Sequence, residues 1–258
     1  MTPSPSILAD FAVRLVFGLS LALTVADWRE TPLAFFRTNC QVILGLLVLA
    51  ALAVSQNGAA NPACWTLAGA AAAAYAATVA WGLGLVRIGR PALLLITAVA
   101  AGWLTAASRD ADPGLWMFNS LSRWASGFVL GATLAAMLLG HHYLTAPTMS
   151  IEPLKRSIRF MGWGLVVRGA LGLGGLLLAQ GAAPALGIGV VTADSWLFPV
   201  MRWGMGFAAP VLATAMAWKT VEIRSTQSAT GILYAAMTLL LFGELSSLIT
   251  ARGGVPIV

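Results

Sequence analysis

Four arginines fall within or at the mouth of apolar runs, Arg14, Arg123, Arg168 and Arg202, and each precedes a glycine by four residues, at Gly18, Gly127, Gly172 and Gly206. One helical turn after an arginine, a missing side chain leaves a gap on the same face, where a guanidinium or a ligand can lie against backbone. Glu244, in LLLFGELSSLI, is read as the only acidic residue deep in an apolar run. An ionised group inside a membrane costs about 2.5 kcal/mol or more unless it is paired or reaches water. That cost predicts an ion pair between Arg14 and Glu244 with Arg202 beside it, while Arg168, nearer mid-membrane, has further to reach. As structure, the pair locks two helices. As a site, the positive charge left over attracts an anionic head group or a polar quinone ring.

Pro210 stands four residues beyond Gly206, where its ring removes the hydrogen bond that the Gly206 carbonyl would accept. Arg202, Gly206 and Pro210 then share a helical face, and a cation, a gap and a freed carbonyl are the ingredients of a polar site in a broken helix. The same face is expected to line an interior cavity rather than lipid. Arg123, Trp124, Gly127 and Phe128 match Arg202, Trp203, Gly206 and Phe207 at an offset of 79 residues, with Ala136 and Met137 matching Ala215 and Met216. Two helices running the same way through the membrane fit a parallel repeat, and coincidence among amphipathic helices is the competing reading.

His141 and His142 close an apolar run and are followed by Tyr143 and a polar stretch through Thr148, Ser150 and Glu152. Neighbouring residues on a helix point about 100° apart, so this pair cannot clamp one haem axially. A self-contained bis-His haem is therefore disfavoured; interface histidines bonded to loop carbonyls, or contact with a cofactor at a subunit border, are the two readings left. Cys40 and Cys64 flank the second apolar segment and sit in neither CxxC nor CxxCH, which disfavours an internal disulfide, thioredoxin-like chemistry and c-type haem. Metal-ligand clusters, phosphate loops, nucleophile elbows and close carboxylate pairs do not occur as motifs. Tyr234 and Glu222 have the chemistry for proton transfer, but no spacing singles them out.

These groups sit in 258 residues of which 59% are hydrophobic and 9% charged, with a mean hydropathy of +0.85. That leaves too little polar surface for a soluble domain. An all-α integral membrane protein follows, a polytopic bundle of about eight transmembrane helices forming a single transmembrane domain over residues 1–258. At roughly 20 residues per crossing, the apolar runs predict helices near 7–26, 32–55, 65–86, 91–108, 121–144, 160–180, 197–218 and 229–251. The second is interrupted by Arg37. The segment before the first run lacks Lys and Arg and carries Asp10, so it reads as a retained membrane helix rather than a cleaved leader. Residues 181–191, GAAPALGIGVV, read as a greasy loop on the membrane or as a re-entrant segment. Residues 224–230 read as a polar loop with Ser228 as helix cap.

Orientation comes from charge. Loops on one side carry Arg29, Arg37, Arg87, Arg90, Lys155, Arg156, Arg159, Lys219 and Arg224; the other side has Arg109 among Asp110 and Asp112, and Arg123, Asp194 and Arg252. The positive-inside rule places both termini on the outer side of the cell membrane, periplasmic if the source is bacterial. Trp65, Trp103, Trp116, Trp124, Trp196 and Trp203 then fall near the outer boundary, and Trp28, Trp163 and Trp218 near the inner one, where indoles are favoured. The basic residues form no single stripe, which argues against nucleic acid despite the net charge of +6. Membrane lipids and other membrane subunits are the expected partners. Two classes of function remain: a non-catalytic subunit or anchor of a larger assembly, of respiratory type with quinone or lipid contact, and a small carrier or channel for an anionic or amphipathic solute.

Overall fold

A computed structural model of the chain describes residues 7–56, 62–108, 116–145, 149–186 and 200–252. The sequence-derived positions Arg109, Asp110, Asp112, Asp194, Trp196 and 187–191 lie outside them. Among the described residues every regular element is helical: α1 (Ile7–Val25), α2 (Leu33–Ser55), α3 (Pro62–Gly82), α4 (Val86–Ala106), α5 (Trp116–Thr145), α6 (Glu152–Leu186), a π-helical stretch (Met201–Ala208) that continues directly as α7 (Ala209–Glu222), and α8 (Thr226–Arg252). Helices α1 to α5 and α8 are each long and apolar enough to cross a membrane. The α7 run is divided between the 8-residue π stretch and 14 residues of α-helix, and α6 starts with a charged first turn.

Helices α1 and α5 form the middle of the bundle. The layer α2, α3, α4 packs on the α1 side, α6 and α8 pack on α5, and α7 packs on α6 and α8. In α1, Ala9, Ala12, Val13, Val16 and Leu19 have no exposed surface. The polarity is arranged as membrane solvation demands: Trp163, Val166, Leu212, Leu95 and Leu52 project outward, while Asp10, Arg14, Ser20, Asn39, Thr133 and Glu244 are buried. This is a helical membrane bundle, and its polar groups are inside because lipid cannot satisfy them.

Helices α1 and α5 approach at glycines. A side-chain carbon on Gly18 would collide with the Gly127 carbonyl, and one on Gly131 with the backbone of Gly18 and Leu19. Gly127 and Gly131 make a GxxxG on α5, the spacing that lets two membrane helices touch through backbone. Tight reversals join α3 to α4 and α7 to α8, with Gly84 at φ 73° and Arg224 at φ 57°. In each, the following amide reaches back five residues, Leu85 N to Ala80 O at 2.8 Å and Ser225 N to Thr220 O at 2.9 Å, which satisfies a helix-end carbonyl.

Several helix limits differ from the sequence expectation. Arg87 and Arg90 lie in the first turns of α4, and Lys155, Arg156 and Arg159 in those of α6, because a charged turn at a membrane interface still forms helical hydrogen bonds. Arg37 does not interrupt α2; it is exposed on a continuous helix. The reversal at Arg224 starts α8 at Thr226, so Ser228 lies inside the helix and does not cap it. Helix α6 runs on to Leu186, through the start of the stretch read as a loop.

Candidate functional site

Four helices bring ionisable side chains together at the end of the bundle where α1 begins. Asp10 and Arg14 are one turn apart on α1 and pair at 2.7 Å. Arg123 of α5 reaches the other Asp10 oxygen, also at 2.7 Å. Glu244 of α8 takes Arg14 on Oε1 and Arg168 of α6 on Oε2. Arg14 also donates to Ser126 Oγ at 3.4 Å. The chain Arg123–Asp10–Arg14–Glu244–Arg168 thus spans α5, α1, α8 and α6 in one run of ion pairs. Its two carboxylates are almost fully enclosed, with side-chain exposures of 6% and 3%, whereas the guanidiniums open outward from 9% at Arg14 to 19% at Arg168 and 26% at Arg123.

The expected pair between Arg14 and Glu244 is therefore present, and the expected second partner differs. Arg168, not Arg202, occupies the other Glu244 oxygen: the long guanidinium arm of α6 covers the extra depth that its sequence position implies. Glu244 is also not the sole buried acid. Asp10 is 4% exposed, and the i,i+4 spacing of Asp10 and Arg14 was the available sequence signal; nothing local pointed to Arg123 as its second partner.

Arg202 stands apart. It is half-buried on the π stretch and makes no hydrogen bond or ion pair among the described residues, although it lies within electrostatic range of Arg168, Glu244 and Arg14. Arg14 Nε is likewise buried without a hydrogen-bond partner. Around Asp10 and Glu244 the count is four guanidiniums to two carboxylates, and the unspent hydrogen-bonding capacity is on the donors.

The π stretch runs up to Ala208, just before Pro210. The Ala209 amide bonds to the Gly204 carbonyl, five residues back, and Pro210 has no amide hydrogen. The Met205 carbonyl consequently lacks both its fourth- and fifth-residue donors. The Met205–Gly206 backbone lies against Gly243 of α8, where a carbon added to Gly206 would meet Gly243 Cα at 3.1 Å. Gly206 and Pro210 are both buried.

The gap after each of the four arginines is occupied by protein. Gly18 and Gly127 sit in the α1–α5 contact, Gly172 receives the Trp203 ring, and Gly206 faces Gly243. Small residues here admit neighbouring helices rather than ligand or guanidinium. The two stretches read as a repeat also differ in backbone, α-helical at 123–128 and π-helical at 202–207.

At the opposite end, His141 is exposed and His142 is half-buried, its ring edge-on to Phe35 with centroids 6.3 Å apart. The Tyr143 hydroxyl donates to the Ser150 carbonyl. Glu222 accepts from Trp218 Nε1 at 2.8 Å, and Tyr234 is exposed. Cys40 and Cys64 are free thiols. A small cleft of about 40 Å³ lies between α1, α5 and α6; its lining includes Ala22, Leu23, Ala132 and Ala135, together with Asp27 and Arg156.

An all-helical membrane bundle with an internal charge network defines the class of this protein. No family model matches the chain, and no curated protein or solved structure does.

Proposed function

We propose that the chain is a non-catalytic, membrane-embedded subunit or anchor of a larger assembly, of respiratory type, with lipid or quinone contact. The observation that carries this reading is the charge network, which ties α1, α5, α6 and α8 through ion pairs on two buried carboxylates. Buried pairs of this kind are costly to break one partner at a time, and together with the glycine contacts of α1 on α5 they favour a fixed scaffold. The outward faces of α6 and α7, with Trp163, Val166 and Leu212 exposed, offer apolar surface to lipid or to a neighbouring membrane chain. The small cleft beside Asp27 and Arg156 sets apolar side chains next to charged ones, the kind of surface an amphipathic head group meets.

Extraction in mild detergent followed by size separation tests the reading. A stoichiometric membrane partner, or a quinone recovered by solvent extraction, supports it; a homogeneous single chain carrying neither overturns it. The runner-up is a small carrier for an anionic or amphipathic solute, favoured by the π stretch and Pro210, since broken helices are where transporters place substrate sites. Solute uptake by vesicles containing only this chain would select the carrier.

The proposed orientation in the cell membrane has both termini outside. Impermeant thiol labelling of single cysteines at positions 112 and 224, in a background lacking Cys40 and Cys64, should reach position 112 only from outside and position 224 only from inside. Labelling of both from the same side excludes it.

A further inference from the structure

We infer that Arg202 and Arg168 form an oxyanion site that takes a phosphate group, with the phosphate of an anionic lipid head group or free phosphate as its source. The inference rests on reading the chain as a fixed membrane scaffold, but not on the identity of any partner subunit. Charge is the first ground. Glu244 is shared by Arg14 and Arg168 and Asp10 by Arg14 and Arg123, so the carboxylates are spent, and Arg202 adds a further guanidinium with no partner among the described residues. A cation with no partner among the described residues, within range of Arg168 and Arg14, is costly in a membrane bundle, and a bound anion relieves that cost.

Hydrogen bonding is the second ground. Arg14 Nε is buried and unpartnered, and guanidiniums have no acceptor to offer one another. Among the described residues, what the network lacks is acceptor oxygen. A phosphate supplies several acceptor oxygens on a tetrahedral frame, and the planar fork of arginine engages two of them at once. Basic pockets between membrane helices hold lipid phosphates on the same principle.

Backbone geometry is the third. The π stretch places Arg202 one residue before Trp203, whose ring rests on Gly172, and five before Phe207, whose ring rests on Gly169. Those two glycines follow Arg168 on α6, Gly169 by one residue and Gly172 by four. The aromatic contacts hold the Arg202 backbone against the turn of α6 that carries Arg168. With α-helical winding throughout, the residues of this stretch would be rotated differently about the axis, so the π turn has a consequence for where Arg202 is presented; π turns recur at functional sites for this reason.

The test uses the full chain with whatever partners remain attached, reconstituted in nanodiscs of phosphatidylcholine alone or of phosphatidylcholine with phosphatidylglycerol, and followed by thermal unfolding and by the phospholipid retained after dilution into detergent. Phosphatidylglycerol should raise the melting temperature of the wild type and remain bound. Arg202→Gln should weaken that retention about tenfold or more, the worth of a lost charged hydrogen bond, and Arg202→Lys should fall between. If free phosphate is the ligand, inorganic phosphate will stabilise the wild type in phosphatidylcholine discs and phosphatidylglycerol will add nothing.

Equal responses of wild type and Arg202→Gln to both probes overturn the inference. So does an Asp194→Asn variant that reproduces the Arg202→Gln effect on stability and is non-additive with it, because the counter-ion then belongs to the chain itself. If Arg202→Gln does not fold, the wild type alone decides, since a melting temperature indifferent to both probes rejects the site. Loss of lipid retention at Arg202 without any partner subunit would retain this site while rejecting the subunit reading, and the converse result would do the opposite.

Discussion

Among the described residues, four ion pairs join residues at the Asp10 end of the bundle and four more lie at the opposite end. Their chemistry is the same and their surroundings are not. Arg14 and Glu244 have side chains 9% and 3% exposed, whereas Arg156 and Glu30 are 45% and 37% exposed at 3.1 Å, and Lys219 is 80% exposed beside Glu222. In the enclosed cluster each charge depends on its partners because little water reaches it. At the open end water competes for every charge, and the pairs contribute little. An ion pair's importance here follows from the dielectric around it rather than from its length.

The strongest way to break this contrast is Glu244→Ala, which leaves Arg14 buried and Arg168 half-buried without that carboxylate. A loss of about 3–5 kcal/mol is expected on removing one partner of a buried pair, read as unfolding by heat or by sodium dodecyl sulfate titration. A loss below about 1 kcal/mol would place the two ends of the bundle on the same footing. Replacing Glu244 and both its arginines together by apolar residues of similar volume should recover much of the loss, because the desolvation cost leaves with the charges.

Packing at the two glycine contacts should come next. Gly131→Leu forces a side chain into the backbone of Gly18 and Leu19 and is expected to cost about 3 kcal/mol, at the upper range of overpacking. Gly206→Leu meets Gly243 Cα at a looser 3.1 Å and is expected to cost about 1–3 kcal/mol. A neutral Gly206→Leu would mean that α7 and α8 separate without penalty and would remove the support that the π stretch gives to Arg202. The smallest effect belongs to the open end: Arg156→Ala, which removes the contacts to Glu30 and Asp27, should change stability by about 1 kcal/mol or less, and added salt should erase the difference.

Composition and apolar run length sufficed to identify a helical membrane bundle, because hydrophobicity over some 20 residues reports the solvent a helix needs, whatever its neighbours are. The cost of a buried charge was legible too, and it led from Arg14 to Glu244 across 230 residues. Only the tertiary structure decided the remaining partners. Arg168 rather than Arg202 faces Glu244, and Asp10 joins Arg123 to the network, because pairing depends on how far each helix is rotated about its axis and how closely its neighbours approach. Those quantities are set by contacts such as Gly18 with Gly131 and Gly206 with Gly243, whose partners lie far apart along the chain. Even the π turn divides this way: Pro210 announces a missing hydrogen bond in the sequence, but whether the helix answers with a kink, a gap or a widened turn is settled by the α6 and α8 surfaces packed against it.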